Sequence, residues 1–324
     1  PVATRACCAV ALGARARSSV AAPRVLARQA EVFGDATRFQ VRTADGGWRP
    51  VSWRDFAAQV RHVAVDLRDH GLQAGDRAAV FAANRVEWLS AALGIQAAGG
   101  VLVPIYASCT AEQVAYVLEH GDCAQVFVDG AALLQRVLAC SAFPMLRRII
   151  LLGELDWRAV AARARATGVA MPDDDAIAAK LVPWQAVQEA GRLADLTSPE
   201  RFGHMLDAID LDRPGLMLYT SGTSGQPKGV PLTHRNIGVN GQDWLVCNAP
   251  LLDAGMTDLL WLPMSHIFGF GEACLGNTLG FTSWLCDPAS VLGLLPEVRP
   301  SVFMSVPVVW EKLATAAMAE PDRA

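Results

Sequence analysis

The sequence predicts an α/β fold in which a parallel sheet is covered by helices on both faces. Three observations carry that prediction. Short apolar, β-branched runs alternate with stretches of helical periodicity from residue 77 to residue 152. The same alternation resumes after residue 214. Hydrophobic residues make up 52% of the 324 and charged ones only 19%, a balance that fills a large core and excludes a disordered chain.

The first periodic segment is a helix over 25–33. Strands over 39–42 and 48–51 flank Asp45-Gly46-Gly47, the turn chemistry of a hairpin. Ser52 stands as an N-cap, and apolar residues at Phe56, Val60, Val63 and Leu67 give a helix over 53–70 that Gly71 ends. Strands over 77–82, 101–106, 125–129 and 147–152 then alternate with helices over 86–98, 111–120 and 131–139. Residues 89–106 form the most apolar window, but Gly99, Gly100 and Pro104 divide it into a helix and a strand, so no membrane span is predicted. From 153 to 213 the rhythm breaks into weak helical patches rich in Ala, Asp and Pro. Asp173-Asp174-Asp175 within it reads as a solvated loop or helix start rather than a metal site. A buried strand over 216–219 reopens the pattern, and Thr233 caps a helix reaching about residue 246. Strands over 258–263, 282–286 and 301–306 follow, with helices over 268–279, 289–295 and 308–319.

Between the strand at 216–219 and Val230 lies Thr220-Ser221-Gly222-Thr223-Ser224-Gly225-Gln226-Pro227-Lys228-Gly229. Glycines let a backbone bring its N–H groups against a ligand, and four hydroxyls and one ammonium add donors with no competing negative charge. Such a loop is a nest for a polyanion, with phosphate the usual one. It is not the loop of ordinary nucleotide hydrolases, because Pro227 precedes Lys228 and Gly229 follows it. The net charge of −4 gives no general attraction for nucleic acid, so the anion must be held locally. Eight cysteines (Cys7, Cys8, Cys109, Cys123, Cys140, Cys247, Cys274, Cys286) include no Cys-x-x-Cys pair, which points to buried thiols in a reducing compartment.

Thr220 to Gly229 resembles the phosphate-loop signature of the adenylate-forming superfamily of acyl-CoA synthetases, luciferases and peptide-synthetase adenylation domains. Leu262-Pro263-Met264-Ser265-His266 resembles its second motif, in the same order and at the expected spacing. The resemblance runs from about Pro23 onward. It implies a large N-terminal domain with two α/β, parallel-rich sheets, incomplete at its C-terminal end. Residues 1–23 precede the resemblance and read from their composition as a leader, while 76–235 would be a first subdomain with the phosphate loop. Residues 24–75 plus 236–324 would form part of the second, without a C-terminal lid domain. It also implies ATP-dependent activation of a carboxylic acid to acyl-AMP, then thioester formation with CoA, with Mg2+ accompanying ATP. Carried over to this chain, Thr220, Ser221, Gly222, Thr223, Ser224, Gly225 and Lys228 would bind the phosphates of ATP. Thr223 and Lys228 would be catalytic, and His266 would contact the acyl substrate; no residue is assigned to a metal. His62, His70, His120 and His204 read as structural histidines, and His234 as part of a helix start.

The stretch 53–88, Val103-Pro104-Ile105-Tyr106 and residues 111–116 resemble long-chain acyl-CoA synthetases, as does a long insertion before the loop. Ile267, Phe268, Phe270 and Leu275 suit a fatty chain. Long-chain fatty acid is therefore the expected substrate, with aryl, shorter or amino acids as alternatives. The superfamily's Tyr-Gly-x-Thr-Glu motif, its later ribose-binding Asp and its late lysine do not occur here. The expectation is the front part of an enzyme with little turnover by itself; the competing expectation is a nucleotide- or acyl-binding module without catalysis. The partners implied are fatty acid, ATP and CoA, without nucleic acid, in the cytoplasm and at a membrane only peripherally. The chain opens on Pro1, and five arginines without an acid in residues 1–30 keep organellar targeting as the alternative.

Overall fold

The computed structural model describes residues 20–220, 226–248, 251–253 and 255–319. The chain opens with α1 (Ala22–Phe33), the hairpin β1 (Thr37–Arg42) and β2 (Trp48–Ser52), and α2 (Trp53–Asp69). Next come β3 (Arg77–Phe81), α3 (Val86–Ala97), β4 (Val101–Ile105), α4 (Ala111–His120), β5 (Cys123–Val128), α5 (Ala131–Ala139) and β6 (Arg148–Leu151). The middle of the chain supplies α6 (Trp157–Ala166), α7 (Asp174–Ala178), β7 (Leu181–Pro183), α8 (Trp184–Thr197) and α9 (Arg201–Asp207). It ends with β8 (Pro214–Thr220), β9 (Lys228–Thr233), α10 (His234–Asn248), β10 (Thr257–Leu260), α11 (Ile267–Leu279), β11 (Thr282–Leu285), α12 (Val291–Val298) and α13 (Pro307–Ala319).

The strands form two sheets, as the resemblance implies: a seven-stranded one in the order β7-β6-β5-β3-β4-β8-β9 and a four-stranded one in the order β10-β11-β1-β2. Every neighbouring pair is parallel except β1–β2 and β8–β9. The exceptions follow from connection length, since a short loop can only turn the chain back, while a parallel neighbour needs a crossover. Strands β3, β4, β5 and β6 are covered on both faces, and nearly every residue in them is buried.

Local chemistry sets the helix starts. Ser52 Oγ accepts the Asp55 N–H at 3.0 Å at the head of α2. Thr110 and Gln113 form a reciprocal capping box at α4, and Asp173 Oδ1 accepts the Ala176 N–H at 2.7 Å at α7. The acidic triplet is thus a helix start. Thr233 Oγ1 accepts the Asn236 N–H at 3.0 Å, and the Asn236 amide oxygen accepts the Thr233 N–H at 3.0 Å, fixing the start of α10. Close packing of α2 depends on two glycines. A Cβ on Gly94 would fall 2.5 Å from Val63 Cγ1, and one on Gly191 would fall 2.2 Å from the His62 carbonyl oxygen. Those contacts seat α3 and α8 directly on α2.

Three expectations change. Residues 153–213 are not an interruption: they fold into four helices and the edge strand β7, which pairs with β6 at Ile149–Leu181. Leu181–Pro183 is too short to show a period. The strand expected over 301–306 reduces to one bridge, between Val302 and Asp258 of β10. In β8 only Gly215 and Leu216 are fully buried, and residues 217–219 are half-buried. Among the described residues no helix is long and apolar enough to cross a membrane.

Candidate functional site

Of the predicted site residues that the structure describes, Thr220 ends β8, Lys228 opens β9 beside it and His266 follows β10, at the carboxyl ends of parallel strands where ligands gather in open α/β sheets. β8 and β9 form a hairpin in which Thr220 pairs with Lys228. Ser221, Gly222, Thr223, Ser224 and Gly225 lie outside the described residues, so the structure locates only the base of the predicted phosphate loop.

Helix α4 grips that base from below. The Tyr116 hydroxyl donates to the Pro227 carbonyl at 2.8 Å, and His120 Nδ1 lies 2.8 Å from the Tyr219 hydroxyl. The Tyr116 and His120 rings stack at 5.4 Å, and each meets the Tyr219 ring edge-on, at 6.2 and 5.6 Å. Burial, with Cys123 and Tyr116 nearby, pushes Tyr219 up to about 12, so its hydroxyl keeps its proton.

The second motif, from the other sheet, meets residues just past β3 and β4. β4 runs parallel to β8 with Leu102 beside Leu216, and carrying that register forward brings Tyr106 level with Thr220. The Tyr106 ring lies 6.5 Å from the His266 ring. Asn84, just past β3, donates its amide to the Leu262 carbonyl at 2.9 Å and accepts the Met264 N–H at 2.9 Å. One side chain therefore clasps the loop after β10 to the end of the central strand. His266 caps α11, with Nδ1 accepting the Phe268 N–H at 3.1 Å. A neutral imidazole bound in that way carries its proton on Nε2.

Of the apolar residues expected beside a fatty chain, Phe270 and Leu275 are buried in the core, Phe270 against Trp88 at 6.1 Å, while Ile267 is half-buried and Phe268 is exposed. Two surface cavities, of about 330 Å3 beside β2 and α2 and about 410 Å3 beside β6 and β7, are lined by neither Thr220, Lys228 nor His266. Among the described residues no three of His, Cys, Asp and Glu stand together to hold a metal ion.

Sequence reasoning passed over two groups. His120 read as structural, and Tyr116 counted only as part of a resembling stretch; their spacing of four residues on a helix was the available signal. The other is a buried polar cluster in the four-stranded sheet. Arg38 donates to Asn277 Oδ1 at 2.8 Å, to Ser283 Oγ at 2.5 Å, and to the Ala273 and Phe281 carbonyls at 3.1 and 3.2 Å. Burial raises Asp258 to about 6 against the opposing pull of Arg38 and Ser283. Glu272, 2% exposed, is raised well above the carboxylate range by burial and then by Asp258, and neither of its side-chain oxygens has a hydrogen-bond partner.

Comparison with known proteins places the chain in a family. The family model of the AMP-binding enzymes matches residues 26–324. A long-chain-fatty-acid–CoA ligase, FadD15, of Mycobacterium bovis is 31% identical over 281 residues, 85% of this chain and 42% of that protein. A 3-methylmercaptopropionyl-CoA ligase of Ruegeria pomeroyi is 28% identical, over 90% of this chain and 50% of that one. The structure of the A-PCP didomain of a carboxylic acid reductase from Segniliparus rugosus superposes with a TM-score of 0.74 at 20% identity, covering 98% of this chain and 46% of that one. The chain thus spans half or less of the length of each of these relatives.

Proposed function

This chain belongs to the AMP-binding enzyme family, and from that premise we propose that it takes part in ATP-dependent activation of a carboxylic acid to an acyl adenylate and then to a CoA thioester. The observation that carries the reading is that the second motif is tied to the carboxyl ends of the seven-stranded sheet, Tyr106 past β4 facing His266 and Asn84 past β3 clasping the Leu262–Met264 loop, while β8, the strand beside β4, ends at the donor-rich loop. In the proposal, Thr220, Ser221, Gly222, Thr223, Ser224 and Gly225 donate to the β- and γ-phosphates of ATP. A carboxylate oxygen attacks the α-phosphorus, the bond to the bridging oxygen breaks, and pyrophosphate departs. Lys228, with Thr223, neutralises the charge that grows on the leaving phosphate. Magnesium would arrive with the ATP phosphates and lend further charge; the described residues offer it no cluster of acids. With Nδ1 taken by Phe268, His266 can donate through Nε2, which suits holding a carboxylate rather than removing a proton.

The substrate proposed is a long-chain fatty acid, supported by likeness to the mycobacterial ligase. Residues 76–235 are read as the nucleotide-side subdomain, and 24–75 with 236–324 as part of the second. We propose a cytoplasmic location, with membrane contact only peripheral. Binding of non-hydrolysable acyl-adenylate analogues carrying acetyl, octanoyl, palmitoyl or benzoyl groups tests both levels of the proposal. Affinity should rise with chain length. Tightest binding of the acetyl or benzoyl analogue would refute the substrate class, and no binding of any analogue would refute the adenylate reading.

A further inference from the structure

We propose that Tyr116 and His120 on α4 are positioning residues for phosphate binding, holding the two stems of the β8–β9 loop at a fixed separation. The proposal rests on the nucleotide reading above. Tyr219 is the last residue but one of the incoming strand, and Pro227 immediately precedes the outgoing one. The β8–β9 ladder stops at the Thr220–Lys228 pair. Beyond it Pro227 has no N–H to offer, so its carbonyl is its only backbone polar group, and Tyr116 takes it at 2.8 Å. On the other stem the Tyr219 hydroxyl meets His120 Nδ1 at 2.8 Å. One helical face, with its two residues four apart, thus spans the mouth of the hairpin.

The helix is a stiff support. Its start is closed by the Thr110–Gln113 capping box, and Val114, Val117 and Leu118 are buried beneath it. Its far end is tied to the central strand, where Arg77 on β3 donates to the Gly121 carbonyl and pairs with Asp122 at 2.7 Å. A ring of donors binds a polyphosphate well only if each is held within about half an ångström of its place, so restraint at the stems translates into affinity for the outer phosphates.

Calorimetric titration of the protein with ATP and with AMP, in magnesium buffer, tests this. Tyr116→Phe keeps the stacked ring and loses the hydroxyl. His120→Leu removes the partner of Tyr219, and His120→Asn restores an amide atom near the position of Nδ1. Tyr116→Phe and His120→Leu should each raise the Kd for ATP relative to that for AMP by about three- to tenfold, the worth of one net hydrogen bond. His120→Asn should return most of the difference. If the parent prefers ATP over AMP and neither variant alters that preference, the positioning role is wrong and the nucleotide reading stands. Equal weakening of ATP and AMP would mark a merely structural role and overturn the proposal. A parent without preference for ATP would overturn the proposal together with the reading it rests on.

Discussion

Two buried arginines show how differently the two sheets handle charge. In the seven-stranded sheet, Arg148 on β6 makes two hydrogen bonds to Asp66 on α2, at 2.8 and 3.3 Å, with Gln125 also accepting at 3.3 Å. His70 Nδ1 approaches Asp66 at 3.1 Å. Here each charge has its opposite, and the pair ties α2 to the sheet. In the four-stranded sheet, Arg38 spends its donors on neutral acceptors, and burial lowers it to about 10. The acids near it, Asp258 and Glu272, are pushed towards their protonated forms. A set of acids that burial drives towards neutrality makes stability depend on pH.

The largest effect should come from splitting the matched pair. Arg148→Met leaves the buried Asp66 carboxylate with only the His70 ring beside it and should cost about 3–5 kcal/mol in urea unfolding. A loss under about 1 kcal/mol would mean that the two sheets do not differ in this way. The next effect is a pH slope. Asp258 releases its proton near 3.8 when unfolded and near 6 when folded. Between those values the native state holds more protons, so this residue's contribution is fully present below about 4 and is lost as pH rises through about 6. The loss should be on the order of 2–3 kcal/mol, and Asp258→Asn should flatten the slope of stability between pH 4 and 7. An unchanged slope would remove the contrast between the sheets. The smallest effect lies outside both clusters: Thr233→Ala unpins the start of α10 and should cost about 1 kcal/mol with no pH dependence in urea titrations at pH 5 and 7.

How legible these regions were in the sequence differs for a physical reason. Strands β3 to β6 announce themselves because each is a short apolar run, nearly all of it buried, next to a helix of contrasting period. Ser52, Thr233 and Asp173 announce helix starts because a cap is a local contact, three residues long. The donor-rich loop is legible as chemistry for the same reason. What joins distant segments was not legible. Arg38 finds its partners more than 230 residues away, and the dipeptide Thr257-Asp258 gives no sign that its acid is interior. Asn84 and Leu262, or Tyr116 and Pro227, are polar pairs whose spacing in the chain carries no period. The short β7 escaped because three residues cannot display alternation.

The proposed chemistry depends above all on the loop between β8 and β9 binding the phosphates of ATP. Equilibrium titration of magnesium–ATP into the protein and into Lys228→Ala addresses it with the fewest intervening steps. Loss of a charged donor to phosphate should weaken ATP by about ten- to a hundredfold while the melting temperature stays close to that of the parent. Equal ATP affinity in the two proteins would contradict the assignment of this loop.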